Sequence, residues 1–119
     1  MTGKEYIRKL DALEINNSKA KKVIAKYADG LPEVVLKIIS DSNTPVFLGD
    51  DSRIMSIEEI IDAEKDLHVS FKKKAMIPIV DCGNNDFIVY HYYDHIWSMF
   101  NIVDEVIFKK KKSFEELLK

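Results

Sequence analysis

The residue types best suited to chemistry lie close together in the last third of the chain. Cys82, Asp86, His91, Asp94 and His95 bring thiol, carboxylate and imidazole groups into one short stretch, and these are the usual ligands of zinc. Their spacing does not favour a metal site, because the two histidines flank a predicted hairpin turn and share no helical face. We therefore expect no metal and no cofactor, with Asp94 beginning a turn and both histidines partly exposed.

Cys82 is also a candidate nucleophile, since Gly83 follows it in a turn. Such a thiol needs a general base or a cationic setting that lowers its pKa. Only folding could bring His91 or His95 to it, and no pattern of a known cysteine enzyme surrounds it. A structural cysteine is the favoured interpretation, and a small cysteine-dependent enzyme using Cys82 with His91 or His95 is the alternative.

An acidic stretch in the middle of the chain is a candidate protein-binding surface. It begins with Asp50 and Asp51 in a predicted turn and continues with Glu58, Glu59 and Asp62. A negative patch would steer and hold a basic partner. Solvation and the positive end of a helix dipole explain the same acids without a partner, and we favour that simpler explanation. Both interpretations are compatible.

Aromatic residues are concentrated in a predicted hairpin. Strand alternation places Tyr90 and Tyr92 on one face and predicts an exposed Tyr93 at the turn, whereas Trp97 is expected to be mostly buried. Exposed tyrosine and tryptophan dominate binding hot spots, although filling a core is their commoner role. The candidate partner-binding residues are therefore Asp50, Asp51, Glu58, Tyr93 and Trp97.

Two lysine runs, at 72–74 and 109–112, raise the question of nucleic acid. No stacking aromatics are interleaved with either run, and the formal net charge is −2. We expect solvated loops that bind no nucleic acid, and lysines of this kind also discourage edge-to-edge pairing of strands.

Hydrophobic periodicity predicts helices early in the chain and strands late. The predicted helices cover 6–13, 20–27, 32–40 and 57–67, and capping boxes at Ser56–Glu59 and Ser113–Glu116 open the fourth helix and a short C-terminal one. Predicted strands cover 45–48, 53–55, 76–80, 87–92, 96–100 and 103–108, with the 87–92 strand central. This order predicts an α+β fold, an antiparallel β-sheet meander with helices packed on it, in a single domain over residues 1–119.

Composition is that of an ordinary globular protein. The chain has 119 residues, of which 46% are hydrophobic and 32% charged. A single cysteine fits a reducing compartment, and neither a signal peptide nor a membrane-spanning run is present in the sequence. We expect a cytoplasmic protein with no membrane contact.

The order of short motifs from residue 31 onward resembles the SUKH superfamily. The series consists of Leu-Pro-Glu at 31–33, Ser-Ile-Glu-Glu-Ile at 56–60, Ile-Pro-Ile at 77–79, a strand hairpin with Trp97, and Ser-Phe-Glu-Glu-Leu at 113–117. The resemblance covers roughly 31–118 and leaves 1–30 as additional N-terminal helices. Asp-Ser-Asn-Thr at 41–44 departs from the Asn-Gly-Gly-like turn that is common there, which leaves the partner-binding edge open.

Bacterial members of that superfamily include immunity proteins that neutralise polymorphic toxins, and fungal members regulate cell-wall glucan synthesis. The resemblance therefore implies a non-catalytic, bacterial, cytoplasmic binding module. Its implied partner is a cognate toxin domain or another protein, held by direct contact. A regulatory scaffold that binds a host protein is a further alternative.

Overall fold

Local capping signals explain where the four α-helices begin and end. The structure, a computed structural model, describes residues 1–49 and 51–118. Thr2 and Ser56 each accept a hydrogen bond from the third helical residue and form capping boxes with Glu5 and Glu59. Gly30, with φ of 70°, reverses the chain between the second and third helices. The helices are α1 (Gly3–Asp11), α2 (Asn17–Lys26), α3 (Glu33–Ser40) and α4 (Ile57–Leu67).

Six strands form one antiparallel sheet in which chain order equals spatial order. The predicted α+β meander is confirmed, and the strand predicted to be central pairs on both sides along its length. Two-residue strands stand at the beginning of the sheet, whereas each of the last four has six residues. The strands are β1 (Val46–Phe47), β2 (Arg53–Ile54), β3 (Met76–Asp81), β4 (Asp86–His91), β5 (Ile96–Asn101) and β6 (Val106–Lys111).

Pro78 lies in the part of β3 that β2 does not reach. β2 pairs only with Val80 and Asp81, and a bulge separates the β4 pairings of Pro78 and Val80. Because proline has no N–H to donate, this place without a neighbouring strand suits it. From the sequence, Pro78 suggests an edge or the start of pairing, and β2 begins to pair with β3 only after this residue.

The sheet is covered on both faces. On the first, called the cleft face, Tyr90 and Trp97 are cross-strand partners and Phe114 packs on the Trp97 ring, with centroids 4.8 Å apart. Residues of α1 and α3 surround the same cleft. On the second, called the Phe100 face, Phe71 meets Phe100 edge-on at 6.1 Å, and α4 lies near Phe87. One apolar core thus connects helices to both faces.

The bounds of two elements differ from the sequence predictions. β6 occupies Val106–Lys111 rather than 103–108, so Lys109, Lys110 and Lys111 are strand residues and not a solvated loop. The third helix begins at Glu33, with Pro32 as its N-cap residue. Each shift reflects tertiary pairing or cap geometry, which local composition does not specify.

The C-terminal segment also differs from its prediction. A single 3₁₀ turn, Glu115–Leu117, replaces the expected short helix. The Ser113 hydroxyl donates to Glu116 instead of accepting from the backbone, so only half of the expected capping box forms. Phe114 is buried, and Leu117 and Leu118 are partly buried against the core.

Within residues 1–49 and 51–118, none of the helices combines the length and the apolar composition that crossing a bilayer requires.

Candidate functional site

The hairpin that joins β5 to β6 carries a group of exposed apolar side chains. Val103 is 68% exposed, Val106 51% and Ile107 40%. These are three of the six large apolar side chains that are exposed in the described part of the chain. We call Val103, Val106 and Ile107 the hairpin patch. Val106 and Ile107 lie on opposite faces of β6, so the hairpin patch follows the outer edge of the sheet and does not form one flat surface.

Hydrogen bonds hold this hairpin in a defined shape. The Asn101 side-chain oxygen accepts from the backbone of Val103 and Asp104, both at 3.0 Å, and its amide donates to Asp86 at 2.9 Å. Glu105 completes the turn with φ of 54°. The hairpin patch is therefore presented by an ordered turn, which limits the entropy that a binding partner would have to remove.

Four lysines follow the hairpin patch at the outer edge of the sheet. Lys109–Lys112 are all exposed, and none of the six ion pairs among residues 1–49 and 51–118 includes them. Lys109 adopts φ of 51° where the pairing of β5 with β6 shifts by one residue, which marks a bulge. The edge is thus apolar at one end and strongly basic at the other.

Tyr93 stands at the tip of the β4–β5 turn and is 77% exposed, as predicted. Its ring meets that of Tyr92 edge-on, with centroids 4.9 Å apart. The Tyr92 hydroxyl in turn donates to the Lys72 carbonyl at 3.1 Å. Tyr93 is therefore an oriented exposed aromatic, a suitable anchor for a contact.

The acidic candidates lie elsewhere. Asp51 is an exposed turn residue with φ of 66°, Glu58 is exposed in the first turn of α4, and Asp50 lies outside the described residues. The β1–β2 turn lies at the Asp81 end of β3, whereas Tyr93 lies at the opposite end, where Met76 pairs with His91. The fold does not bring Tyr93 and Asp51 together.

Trp97 is buried, as the sequence predicts, and lines a cleft of about 570 Å³. Its ring lies 4.9 Å from that of Tyr90 and 4.8 Å from that of Phe114. Charged residues of both signs surround these aromatic rings. Two of them, Lys37 and Glu33, form an ion pair of 3.0 Å. A partner could touch Trp97 only by entering this cleft.

The histidines occupy two different environments. His91 was expected to be partly exposed, and this was wrong: it is buried, with Nε2 2.7 Å from the Ser98 hydroxyl. Burial lowers the pKa of His91 from its usual 6.5; the Asp94 carboxylate opposes this change and Lys110 adds to it. His95 is an exposed turn residue whose Nδ1 lies 3.2 Å from the Tyr90 hydroxyl.

Cys82 does not meet either histidine. It follows β3 and its backbone N–H bonds to the Asp86 carbonyl, which places it at the beginning of β4. His91 is at the other end of β4, about 17 Å away by strand rise, and His95 lies in the turn beyond it. The described residues also contain no cluster of three His, Cys, Asp or Glu side chains that could hold a metal.

A charged network braces the opposite edge of the sheet. Arg53 bonds to Glu59 at 2.6 Å and to Asp81 at 3.3 Å, which joins β2 to α4 and β3. Burial opposes ionisation of Glu59, but hydrogen bonds with Arg53 and Ser56 lower its pKa below 4.5 overall. These groups are occupied with each other, so the network serves the fold rather than a ligand.

No family model, curated protein or solved structure matches this chain.

Sequence reasoning missed the hairpin patch. Val103, Val106 and Ile107 were assigned to a strand of the meander, but their own residue types gave no reason to expect that these side chains would stay exposed. The lysine run that follows was the available signal, because lysines concentrate on exposed sheet edges.

Proposed function

We propose that this protein is a non-catalytic protein-binding module, an immunity protein that neutralises a toxin by direct contact. One observation carries the proposal: three exposed apolar side chains, Val103, Val106 and Ile107, lie along one ordered hairpin at the outer edge of the sheet. Binding interfaces combine an apolar centre with a polar rim, and the lysines after Ile107 supply such a rim. The order of motifs that resembles the SUKH superfamily supports the toxin as the partner.

Contact alone is sufficient for this activity. An inhibitor that covers the active site or docking surface of a toxin needs buried area and a few anchors. A hairpin that is already shaped by the Asn101 side chain loses little entropy on binding. The hairpin patch therefore suits tight binding better than a mobile loop of the same composition would.

Survival of a bacterial host tests the proposal. The protein is co-expressed with each toxin domain encoded beside its gene, and one of these toxins is expected to lose its killing activity. The double variant Val103→Ser/Ile107→Ser should weaken binding by about 2 kcal/mol or more in a titration, because hot-spot side chains commonly contribute that much. Protection should fall accordingly.

Phe47→Ser is the matched control. Phe47 is a large apolar side chain, 69% exposed, at the other edge of the sheet, so its removal should leave protection intact. Circular dichroism of all variants checks that they fold. Unchanged killing by every adjacent toxin would reject the toxin as the partner.

A second set of variants tests the partner-binding residues predicted from sequence. If they are the anchors, Tyr93→Ala, Asp51→Ala or Glu58→Ala should each cost about 1–3 kcal/mol of binding. If only these variants lose binding, the binding function stands and its surface lies at those residues. A loss confined to the hairpin variants would assign the surface to the hairpin patch.

A further inference from the structure

We propose that the outer edge of β6 binds an extended segment of the partner protein as a seventh strand. In this segment two carboxylates lie beside Lys110 and Lys111, and two apolar side chains lie beside Val106 and Ile107. This strand addition rests on the proposed binding function, and it specifies the mode of contact and the chemistry of the partner.

The edge of β6 has unpaired backbone groups to offer. β6 is six residues long and β5 is its only neighbour in the sheet. In the described part of the chain, no backbone hydrogen bond outside the regular helices and strands involves residues 106–111. Main-chain N–H and C=O groups on the outer side of such a strand are a template for another strand.

Each face of this edge presents an exposed apolar side chain near one end and a lysine near the other. Val106 is opposite Asn101 and Lys111 is opposite Trp97, so both lie on the cleft face. Ile107 is opposite Phe100, and Lys110 is close enough to His91 to affect its charge, so both lie on the Phe100 face. An added strand would therefore meet apolar groups at one end and cations at the other, on both of its faces.

Charge selects the occupant. A second copy of this chain paired antiparallel along β6 would set the lysines of each copy opposite the apolar residues 106–108 of the other, so the added strand would bring four more cations and no carboxylate to this edge. A segment with carboxylates would instead neutralise cations that no ion pair in residues 1–49 and 51–118 engages. The lysines thus disfavour self-association and favour an acidic partner.

The direction of the added strand follows from the sheet. Every existing pair is antiparallel, and antiparallel ladders are slightly more stable than parallel ones. An antiparallel segment places its carboxylates before its apolar residues in sequence. The preferred order is therefore acidic, then polar, then β-branched apolar.

A synthetic peptide tests the mode of binding on the whole protein. The probe is an acetylated and amidated peptide with two glutamates, two threonines and two valines in that order, titrated into isotopically labelled protein. We expect saturable shifts of the β6 amide signals and slower hydrogen exchange of the amides that point outward from Val106–Lys111. The same peptide with N-methyl groups on alternate residues should not bind, because it lacks the donors of a strand.

A charge exchange tests the chemistry. The variant Lys110→Glu/Lys111→Glu should bind the glutamate peptide about tenfold more weakly, and a peptide with lysines in place of glutamates should recover the affinity. Lys21→Glu/Lys22→Glu, which changes exposed lysines of α2 by the same net charge, should bind like the unaltered protein.

Each other outcome overturns the inference. No binding of the glutamate peptide, or equal binding of its N-methylated form, would reject strand addition. If the unaltered protein binds the lysine peptide as tightly as the glutamate peptide, the acidic partner is rejected. If the protein forms a dimer that protects the same amides without any peptide, the added strand comes from a second copy of this chain. If these tests fail while Val103→Ser/Ile107→Ser still abolishes toxin protection, strand addition is wrong and the proposed binding function stands.

Discussion

The two edges of the sheet are built in opposite ways. At the first edge, β1 and β2 have two residues each, Arg53 braces β2, and the Gly49 N–H donates to the Met1 carbonyl at 2.9 Å. At the other edge, β6 has six residues and exposes most of them. Shortening and bracing a strand removes pairing sites, whereas lysines and a bulge hinder pairing but leave the backbone donors and acceptors of the strand in place. The comparison teaches that this fold limits pairing at one edge by short, braced strands and at the other by charge and a bulge.

The largest expected change in stability distinguishes two phenylalanines, Phe114 packed on β5 and Phe47 exposed on β1. Phe114 is buried and supports β5 from the cleft face, so Phe114→Ala should lower the free energy of unfolding by about 3–4 kcal/mol. Phe47 is exposed at the first edge, and Phe47→Ala should change it by no more than about 0.5 kcal/mol. Urea denaturation measures both. Equal losses would mean that Phe114 does not fasten the sheet.

A smaller effect tests the brace at the first edge. Arg53→Met keeps the apolar stem but leaves Glu59 and Asp81 without their cation, which should cost about 1–2 kcal/mol of stability. This value allows for the partial exposure of all three side chains. Lys111→Met on β6 is the matched control and should stay within about 0.5 kcal/mol, because Lys111 is exposed. If Arg53→Met is as stable as the unaltered protein, the short strands alone limit pairing at this edge.

Acid should weaken the centre of the sheet and its first edge in different pH ranges. The neutral form of His91 is favoured in the folded protein, so its contribution is present above pH 6.5 and is lost as pH falls from 6.5 through the lowered pKa of the folded state. Glu59 has a lowered pKa as well, and its contribution is lost only as pH falls below 4.5. Thermal denaturation between pH 8 and pH 3 should therefore show two successive decreases in stability.

Two substitutions assign these decreases. His91→Gln removes the titrating group and should flatten the decrease in stability that begins as pH falls below 6.5, while Glu59→Gln should flatten only the decrease below pH 4.5. If His91→Gln leaves the first decrease unchanged, another group near the Phe100 face is responsible.

The smallest expected effect concerns the β6 lysines themselves. Lys110 opposes protonation of His91, so Lys110→Gln should raise the pKa of His91 toward its usual value while stability changes by less than about 0.5 kcal/mol. Titration of the imidazole signals by NMR measures this change. Lys112→Gln, at a lysine beyond the end of β6, should leave the pKa of His91 unchanged. An unchanged value in both variants would place Lys110 away from the Phe100 face.

Elements with strong local signals were predicted well. The Ser56 capping box, the turn-rich segment before Asp86 and the alternating apolar residues of β4 act over a few residues, so the sequence predicts them directly. β6 was placed three residues too early, because its lysines are typical of loops and its strand conformation depends on pairing with β5. The burial of His91 likewise depends on Ser98 from the next strand.

The sequence by itself determined the helices, the central strands and the α+β class, because caps and periodic apolar residues are local and their burial is strongly favourable. Tertiary structure alone decided the bounds and register of β6, the exposure of Val103 and Ile107, and the burial of His91 against Ser98. These outcomes depend on which strands pair and in what register, a long-range choice that no local window of residues contains.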